Sequence, residues 1–332
     1  MHRRLQVAVI VLASLTLAGI YLGQGRQTGP VTGLRVDVRL VNIVATVTDA
    51  NGRYAGGMAA DDFIVEEDGV PQKISHFSQD HDIPVSVGIV LDISGSMERK
   101  IRTAIDAVDG FIRTIHEDDD IFLMTFSSRP DLRQDFTSDR GRLSKALRSI
   151  QVTGGTAMYD ALGMGLDKIR SGRHDKRAIL LISDGEDTSS HLKFEETLQT
   201  IRKSELLVYC LGIEPPTFGE RSEHVPFTWP LPAAPSRNKT VSSRRDAVDM
   251  VVLNKFADNS GGRAFMLSDS WVGHGIQIEK VLSQVADELR SQYTIGYYPT
   301  ASEDGRFHSL TVRSRAGHRV RARTGYIARG SN

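Results

Sequence analysis

The chain has 332 residues, of which 40% are hydrophobic and 25% charged, a composition typical of a globular protein of about two domains. Its 41 Lys and Arg residues balance 41 Asp and Glu residues, so there is no basic excess of the kind that nucleic-acid binding requires. The single cysteine, Cys210, excludes an intrachain disulfide and lies in an apolar run typical of a core strand.

The first 30 residues have the layout of an export signal. Arg3 and Arg4 precede a mostly apolar segment from Leu5 to Leu22, and a stretch with Gly, Gln and Pro follows it. The length of this segment suits both a cleaved signal peptide and a retained membrane anchor, and both interpretations stay open. We therefore expect an exported protein, periplasmic or extracellular, which residues 5–22 anchor to the inner membrane if they are retained.

Two β-rich segments lie near the ends of the chain. Residues 34–80 contain short alternating runs separated by turn signals such as Asp68-Gly69, and residues 293–328 contain three more such runs. Each segment is too small to bury enough apolar surface alone, so we predict that they pair into one β-sandwich. The predicted facing residues are Val36, Val38, Leu40, Ile43, Phe63 and Val65 on one side and Ile295, Tyr297, Leu310 and Val312 on the other.

Between these segments, residues 84–292 alternate strand-like and helical patterns. The runs "VSVGIVL", "DIFLMTF", "RAILLIS" and "LLVYCLGI" are continuous and apolar, and amphipathic segments separate them. This alternation predicts an α/β fold with a doubly wound, mostly parallel sheet and helices on both faces. Six prolines in residues 214–247 predict an irregular loop inserted into this domain.

The stretch "VGIVLDISGSMERK" places three polar side chains, Asp92, Ser94 and Ser96, after the first buried strand. One of them, Ser96, could cap a helix that begins near Glu98, but capping needs only one such residue. Ligands of doubly wound sheets gather at the carboxyl ends of the strands, so further polar groups should converge there. Thr156, in "VTGGTAMYD", and Asp184, in "LLISDGED", meet that expectation. These hard oxygen ligands favour Mg²⁺, with Mn²⁺ as a second choice, over Zn²⁺.

The motifs "DISGS", "GGT" and "SDGED", in this order, resemble the von Willebrand factor A domain and its metal-ion-dependent adhesion site. In that family the serines and the threonine coordinate the ion, the aspartates bind it directly or through water, and a carboxylate of a partner protein completes the shell. The resemblance implies these roles for Ser94, Ser96, Thr156, Asp92 and Asp184, and a protein partner that presents a carboxylate. The flanking β segments also resemble those of bacterial exported VWFA-related proteins.

Two other classes of function stay open. A phosphatase-like hydrolase would use Asp92 as phosphoryl acceptor, but such enzymes usually carry a second acid where this chain has Ser94. A structural envelope protein would need neither ion nor partner. The glycine-rich stretch lacks a P-loop ending, no nucleophile elbow is present, and the histidines show no metal-ligand spacing, so we expect no enzymatic activity. The acidic run Asp118–Asp120 is interpreted as a solvated loop.

Overall fold

A computed structural model describes residues 40–79, 83–114, 116–214, 248–267, 274–299 and 304–328. In the last helix, which begins at His274, the side chains are described from residue 280 onward. The predicted leader, Val36, Val38 and all of the proline-rich insertion after Glu214, residues 215–247, lie outside these ranges.

A six-stranded sheet forms the centre of the α/β part, in the order β10-β9-β8-β5-β6-β7. All neighbours are parallel except β6 and β7, which run antiparallel. The predicted α/β class with a mostly parallel sheet is therefore confirmed. The strands are β5 (Ser86–Asp92), β6 (Asp120–Phe126), β7 (Pro130–Thr137), β8 (Arg177–Ile182), β9 (Leu207–Ile213) and β10 (Ala264–Leu267).

Helices cover both faces of this sheet. One apolar cluster packs α1, α2 and α6 against it, and a second packs α3, α4 and α5 against the opposite face. Cys210 lies in the second cluster, where burial raises the pKa of its thiol, as expected for a core cysteine. The helices are α1 (Ile101–Thr114), α2 (Arg140–Arg148), α3 (Met158–Lys168), α4 (Phe194–Lys203), α5 (Met250–Ser260) and α6 (His274–Arg290), with 3₁₀ turns at Ala60–Asp62, Gly95–Met97 and Ile169–Ser171.

The two ends of the chain form one β-sandwich, as predicted. Its sheets have the orders β13-β1-β11-β4 and β14-β12-β2-β3, so each contains strands from both ends. In the first sheet Ile43 pairs with Ile295, and in the second Val65 pairs with Val312. The strands are β1 (Val41–Thr48), β2 (Phe63–Glu67), β3 (Val70–Gln72), β4 (Ile74–Gln79), β11 (Gln292–Tyr297), β12 (Phe307–Ser314), β13 (Arg319–Arg321) and β14 (Gly325–Ile327).

Most of the predicted sandwich core is correct, and two details differ. Ile43, Phe63, Val65, Ile295, Tyr297 and Leu310 are buried in one cluster, with Val312 packed against it. Leu40 is absent from that cluster, because the inward residues of β1 are the alternate ones beginning at Val41. β11 begins at Gln292, one residue before the predicted boundary of the C-terminal segment.

The acidic run Asp118–Asp120 is solvated only at Asp118, whose side chain is 72% exposed, so the interpretation as a solvated loop is wrong for Asp119 and Asp120. Asp119 is 2% exposed and its carboxylate accepts hydrogen bonds from the backbone N–H groups of Val85 and His116, at 2.8 and 2.7 Å. Asp120 is 1% exposed and accepts a hydrogen bond from the Ser86 hydroxyl. These carboxylates join the amino ends of β5 and β6, opposite the edge where Asp92 lies.

A buried polar network joins the α/β part to the sandwich. Glu288 on α6 is 1% exposed, accepts a hydrogen bond of 2.6 Å from the Tyr209 hydroxyl on β9, and forms an ion pair with Arg321 on β13. Gln292 of β11 donates to the same Tyr209 hydroxyl at 3.1 Å. The Glu288 carboxylate thus contacts Tyr209 from a strand of the α/β part and Arg321 from a strand of the sandwich.

A second polar cluster of the sandwich surrounds His308 on β12. Its Nδ1 lies 2.8 Å from Asp68 Oδ2 and 3.3 Å from Glu67 Oε1, and its Nε2 lies 3.2 Å from Asp304 Oδ1. The Tyr326 ring stacks on the imidazole, with ring centroids 5.5 Å apart. Burial alone lowers the pKa of His308, but the hydrogen bonds of Asp68 and Asp304 and the charge of Glu67 outweigh it, so the pKa is raised.

We predict that His308→Gln lowers stability more in acid than in base. A histidine whose pKa is raised on folding stabilises the protein fully below its unfolded pKa, and this contribution is lost as the pH rises through the folded value. The loss should be about 1 kcal/mol larger at about pH 5.5 than at about pH 8.5 in urea unfolding. An equal loss at both pH values would contradict a charged imidazole here.

Candidate metal centre

The first loop of the site follows β5 directly. Asp92 is fully buried; its Oδ1 accepts from the Ser94 N–H at 2.9 Å and its Oδ2 from the Ser183 hydroxyl at 2.7 Å. Ser94 precedes the 3₁₀ turn Gly95–Met97 and makes no side-chain cap bond, and α1 begins only at Ile101. Capping by Ser96 therefore does not account for these hydroxyls, because the helix starts too far along the chain.

The two serine hydroxyls lie side by side. Ser94 Oγ and Ser96 Oγ are 3.1 Å apart; Ser94 is buried and Ser96 is half-buried. Neighbouring ligands of an octahedral Mg²⁺ with bonds of about 2.1 Å are separated by about 3.0 Å. The spacing of this pair therefore fits two adjacent positions in such a shell.

Backbone hydrogen bonds join the second loop, which contains Thr156, to the first. The Gly95 N–H donates to the Gly154 carbonyl at 3.1 Å, and the Thr153 N–H donates to the Ile93 carbonyl at 2.9 Å. Gly154 has a φ of 73°, which a non-glycine residue adopts only with strain. Thr156 is 4% exposed at the end of this loop, just before α3.

The third loop, after β8, is bonded to the second. The N–H groups of Thr188 and Ser189 donate to the Thr156 carbonyl at 2.8 and 2.9 Å, and the Thr188 hydroxyl accepts from the Thr156 N–H at 2.9 Å. Asp184 is fully buried at the start of this loop. The structure thus brings the loops of all five predicted residues, Asp92, Ser94, Ser96, Thr156 and Asp184, to one edge of the sheet.

The electrostatics of this edge depend on two buried carboxylates and one ammonium. Burial raises the pKa of Asp92 to about 6; hydrogen bonds from Ser94 and Ser183 oppose this, and the charge of Asp184 adds to it. The Lys100 Nζ lies 2.9 Å from Asp184 Oδ2, and both side chains are 1% exposed. Neither carboxylate oxygen of Asp92 reaches a cation within the described residues, so a further positive charge there would be favourable.

Sequence reasoning missed three features of the structure. Lys100 and Ser183 contact the predicted aspartates, but a lysine before a helix and a serine after a strand carry no distinctive signal. The third is a group of residues with potential ligand atoms within 4.8 Å of one another, formed by Glu67, Asp68 and His308. Because His308 is 240 residues from Asp68, no local spacing could indicate this group.

Comparison with known proteins identifies the central domain. Residues 87–186 match the family model of the von Willebrand factor type A domain. The chain thus carries a von Willebrand factor type A domain, as its three motifs predicted. An uncharacterised protein of Synechocystis sp. is 30% identical over 116 residues, which cover 33% of this chain and 28% of that protein.

Solved structures with similar folds include two domains of this class. A von Willebrand factor type A structure from Catenulispora acidiphila has a TM-score of 0.47 at 13% identity, and the match covers 85% of this chain and 75% of that one. The vWF domain of the type V pili tip protein Mfa5 from Porphyromonas gingivalis has a TM-score of 0.46 at 13% identity, covering 62% and 96%.

We predict that Gly185→Ala is more destabilising than Gly57→Ala. Both substitutions strain the backbone, but only the one at Gly185 brings the new methyl group against neighbouring atoms. Both glycines have positive φ, 84° and 74°. A Cβ at Gly185 would lie 2.7 Å from the Asp249 carbonyl oxygen, whereas none of the described atoms lies within 4 Å of one at Gly57. Gly57→Ala should cost about 1 kcal/mol in urea unfolding, and Gly185→Ala about 1–3 kcal/mol more. Equal losses of stability in the two variants would mean that the third loop moves away from the added methyl group without a cost in free energy.

Proposed function

We propose that this protein is a metal-dependent protein-binding module of the cell envelope. The observation that carries the proposal is the convergence of two buried carboxylates and three hydroxyl side chains at one edge of the sheet, on loops bonded to one another. A site of this composition suits Mg²⁺ or Mn²⁺, with Ser94, Ser96 and Thr156 as hydroxyl ligands and Asp92 and Asp184 binding directly or through water.

The exposure of the first loop supports a partner that binds at the ion. Gly95 is exposed and Ser96 half-buried, whereas both aspartates are buried, so solvent reaches the site from the serine side. An ion held there would keep a coordination position on the outside. A carboxylate from a partner protein is the oxygen ligand that best fills such a position.

The hydrolase alternative is disfavoured by the environment of Asp92. A phosphoryl acceptor needs an oxygen that the phosphorus atom of a substrate can reach, but the Asp92 side chain has no exposed surface. We therefore propose a binding function without catalysis. Hydrolysis of an aryl phosphate by the wild-type protein that Asp92→Asn abolishes would overturn this choice.

Export is part of the proposal and rests on the sequence of the first 30 residues. None of the helices within the described ranges has the length and apolar character needed to cross a membrane. Residues 5–22 lie outside those ranges, so the choice between a cleaved signal and an anchor stays a prediction.

We expect Ser96→Ala to weaken Mg²⁺ binding at least about tenfold, because it removes one ligand of the shell. Isothermal titration of the full chain with Mg²⁺ measures this change. Ser149→Ala, at an exposed serine after α2, is the matched control and should bind Mg²⁺ as the wild type does. Equal affinity in the Ser96 variant and the control would contradict the metal assignment.

Partner binding should depend on the ion. Full-length protein on beads should capture its partner from an envelope extract with Mg²⁺ and release it with EDTA, and Ser96→Ala should capture less. Capture that is the same with Mg²⁺ and with EDTA would indicate an interaction that does not use this site. No capture in either condition, with no Mg²⁺ binding, would favour a structural envelope protein.

A further inference from the structure

Lys100 places a positive charge inside the proposed metal centre. Its backbone N–H donates to the Met97 carbonyl at 2.8 Å and its carbonyl accepts from the Ala104 N–H at 3.0 Å, which fixes it where the 3₁₀ turn meets α1. From there the ammonium reaches inward to Asp184 Oδ2, 2.9 Å away, with only 1% of its side chain exposed. Lysine is almost never buried to this extent without a charged partner.

The ammonium changes the charge of the edge. Asp92 and Asp184 carry two negative charges when ionised, and Lys100 reduces the total to one. A divalent ion would then leave the site with one net positive charge, which a single carboxylate would neutralise. Without Lys100 the ion alone would neutralise the two aspartates, and an added carboxylate would leave an excess negative charge in a poorly solvated place.

We propose that Lys100 is an internal counter-charge with two effects on this site. In the metal-free protein it compensates Asp184, so the buried carboxylate remains in place without an ion. In the metal-bound protein it weakens the hold on the cation and makes the site receptive to an anionic ligand. The second effect rests on the proposed function; the first depends only on the buried ion pair.

The position of Asp184 supports both effects. Its Oδ2 faces Lys100, whereas its Oδ1 lies 3.3 Å from the Glu186 N–H, which is a weak contact. Lys100 thus engages one oxygen and leaves the other able to bind an ion or its water. Lys100 is a positioning residue in this arrangement: it acts on the ion through Asp184 and needs no contact with it.

The ion pair is tested by thermal unfolding in EDTA. Lys100→Met and Asp184→Asn should each lower the melting temperature, because each leaves one buried polar group without its charged partner. The double variant should be more stable than the sum of the two losses predicts. Lys145→Met, which removes an exposed lysine from α2, should change little. If Lys100→Met had the wild-type melting temperature in EDTA, the proposal that Lys100 compensates the charge of Asp184 would be wrong.

The effect on the site is tested by titrating the same variants with Mg²⁺, and then the Mg²⁺-saturated proteins with acetate. Lys100→Met should bind Mg²⁺ about 3–10-fold more tightly than the wild type and acetate more weakly. Unchanged or weaker Mg²⁺ binding by the folded variant would overturn the inference and leave the proposed function intact. If the wild-type protein bound no Mg²⁺, both the proposed function and the effect of Lys100 on the bound ion would be wrong. Thermal unfolding in EDTA would still decide whether Lys100 compensates Asp184 in the metal-free protein.

Discussion

Neighbouring parallel strands must end at the same edge of their sheet, and the candidate site depends on this constraint. β5 and β8 are adjacent, and almost every residue in them is buried. The chain must leave both strands at one edge, and there it carries Asp92 and Asp184. A polar group at that edge is poorly hydrated, so it needs hydrogen bonds, a counter-ion or a metal. The structure supplies the first two with residues of its own.

Hydrogen bonds among the three loops connect the candidate site through protein groups alone. Main-chain bonds join the first loop to the second and the second to the third, and Asp249 at the start of α5 donates its N–H to the Asp184 carbonyl at 2.7 Å. Glycines occur where a side chain would collide with a neighbouring loop: a Cβ at Gly155 would lie 2.3 Å from Ser189 Oγ. The fold itself therefore places the loops of the candidate ligands, which would lower the entropic cost of binding an ion there.

Periodicity in the sequence was sufficient to predict the sheet and both β segments, because buried strands and alternating strands have distinct patterns. It did not reveal β7, because this edge strand carries charged residues at its exposed positions and has no continuous apolar run. It also misjudged Asp119 and Asp120, since an acidic triplet has the same composition in a solvated loop and in a buried network. Three motifs indicated the five candidate site residues, whereas nothing indicated Lys100, because its contact with Asp184 spans 84 residues.

The nested order of the chain makes the two parts depend on each other. The sandwich contains strands from before and after the α/β domain, so neither sheet can be completed by one end of the chain alone. Glu288 strengthens this dependence: separating the sandwich from α6 would leave its carboxylate buried near Tyr209 without Arg321. The buried charge therefore opposes any separation of the two parts. It follows that a load applied at the sheet edge with Asp92 and Asp184 would reach the sandwich through the contacts of Glu288 as well as through the chain.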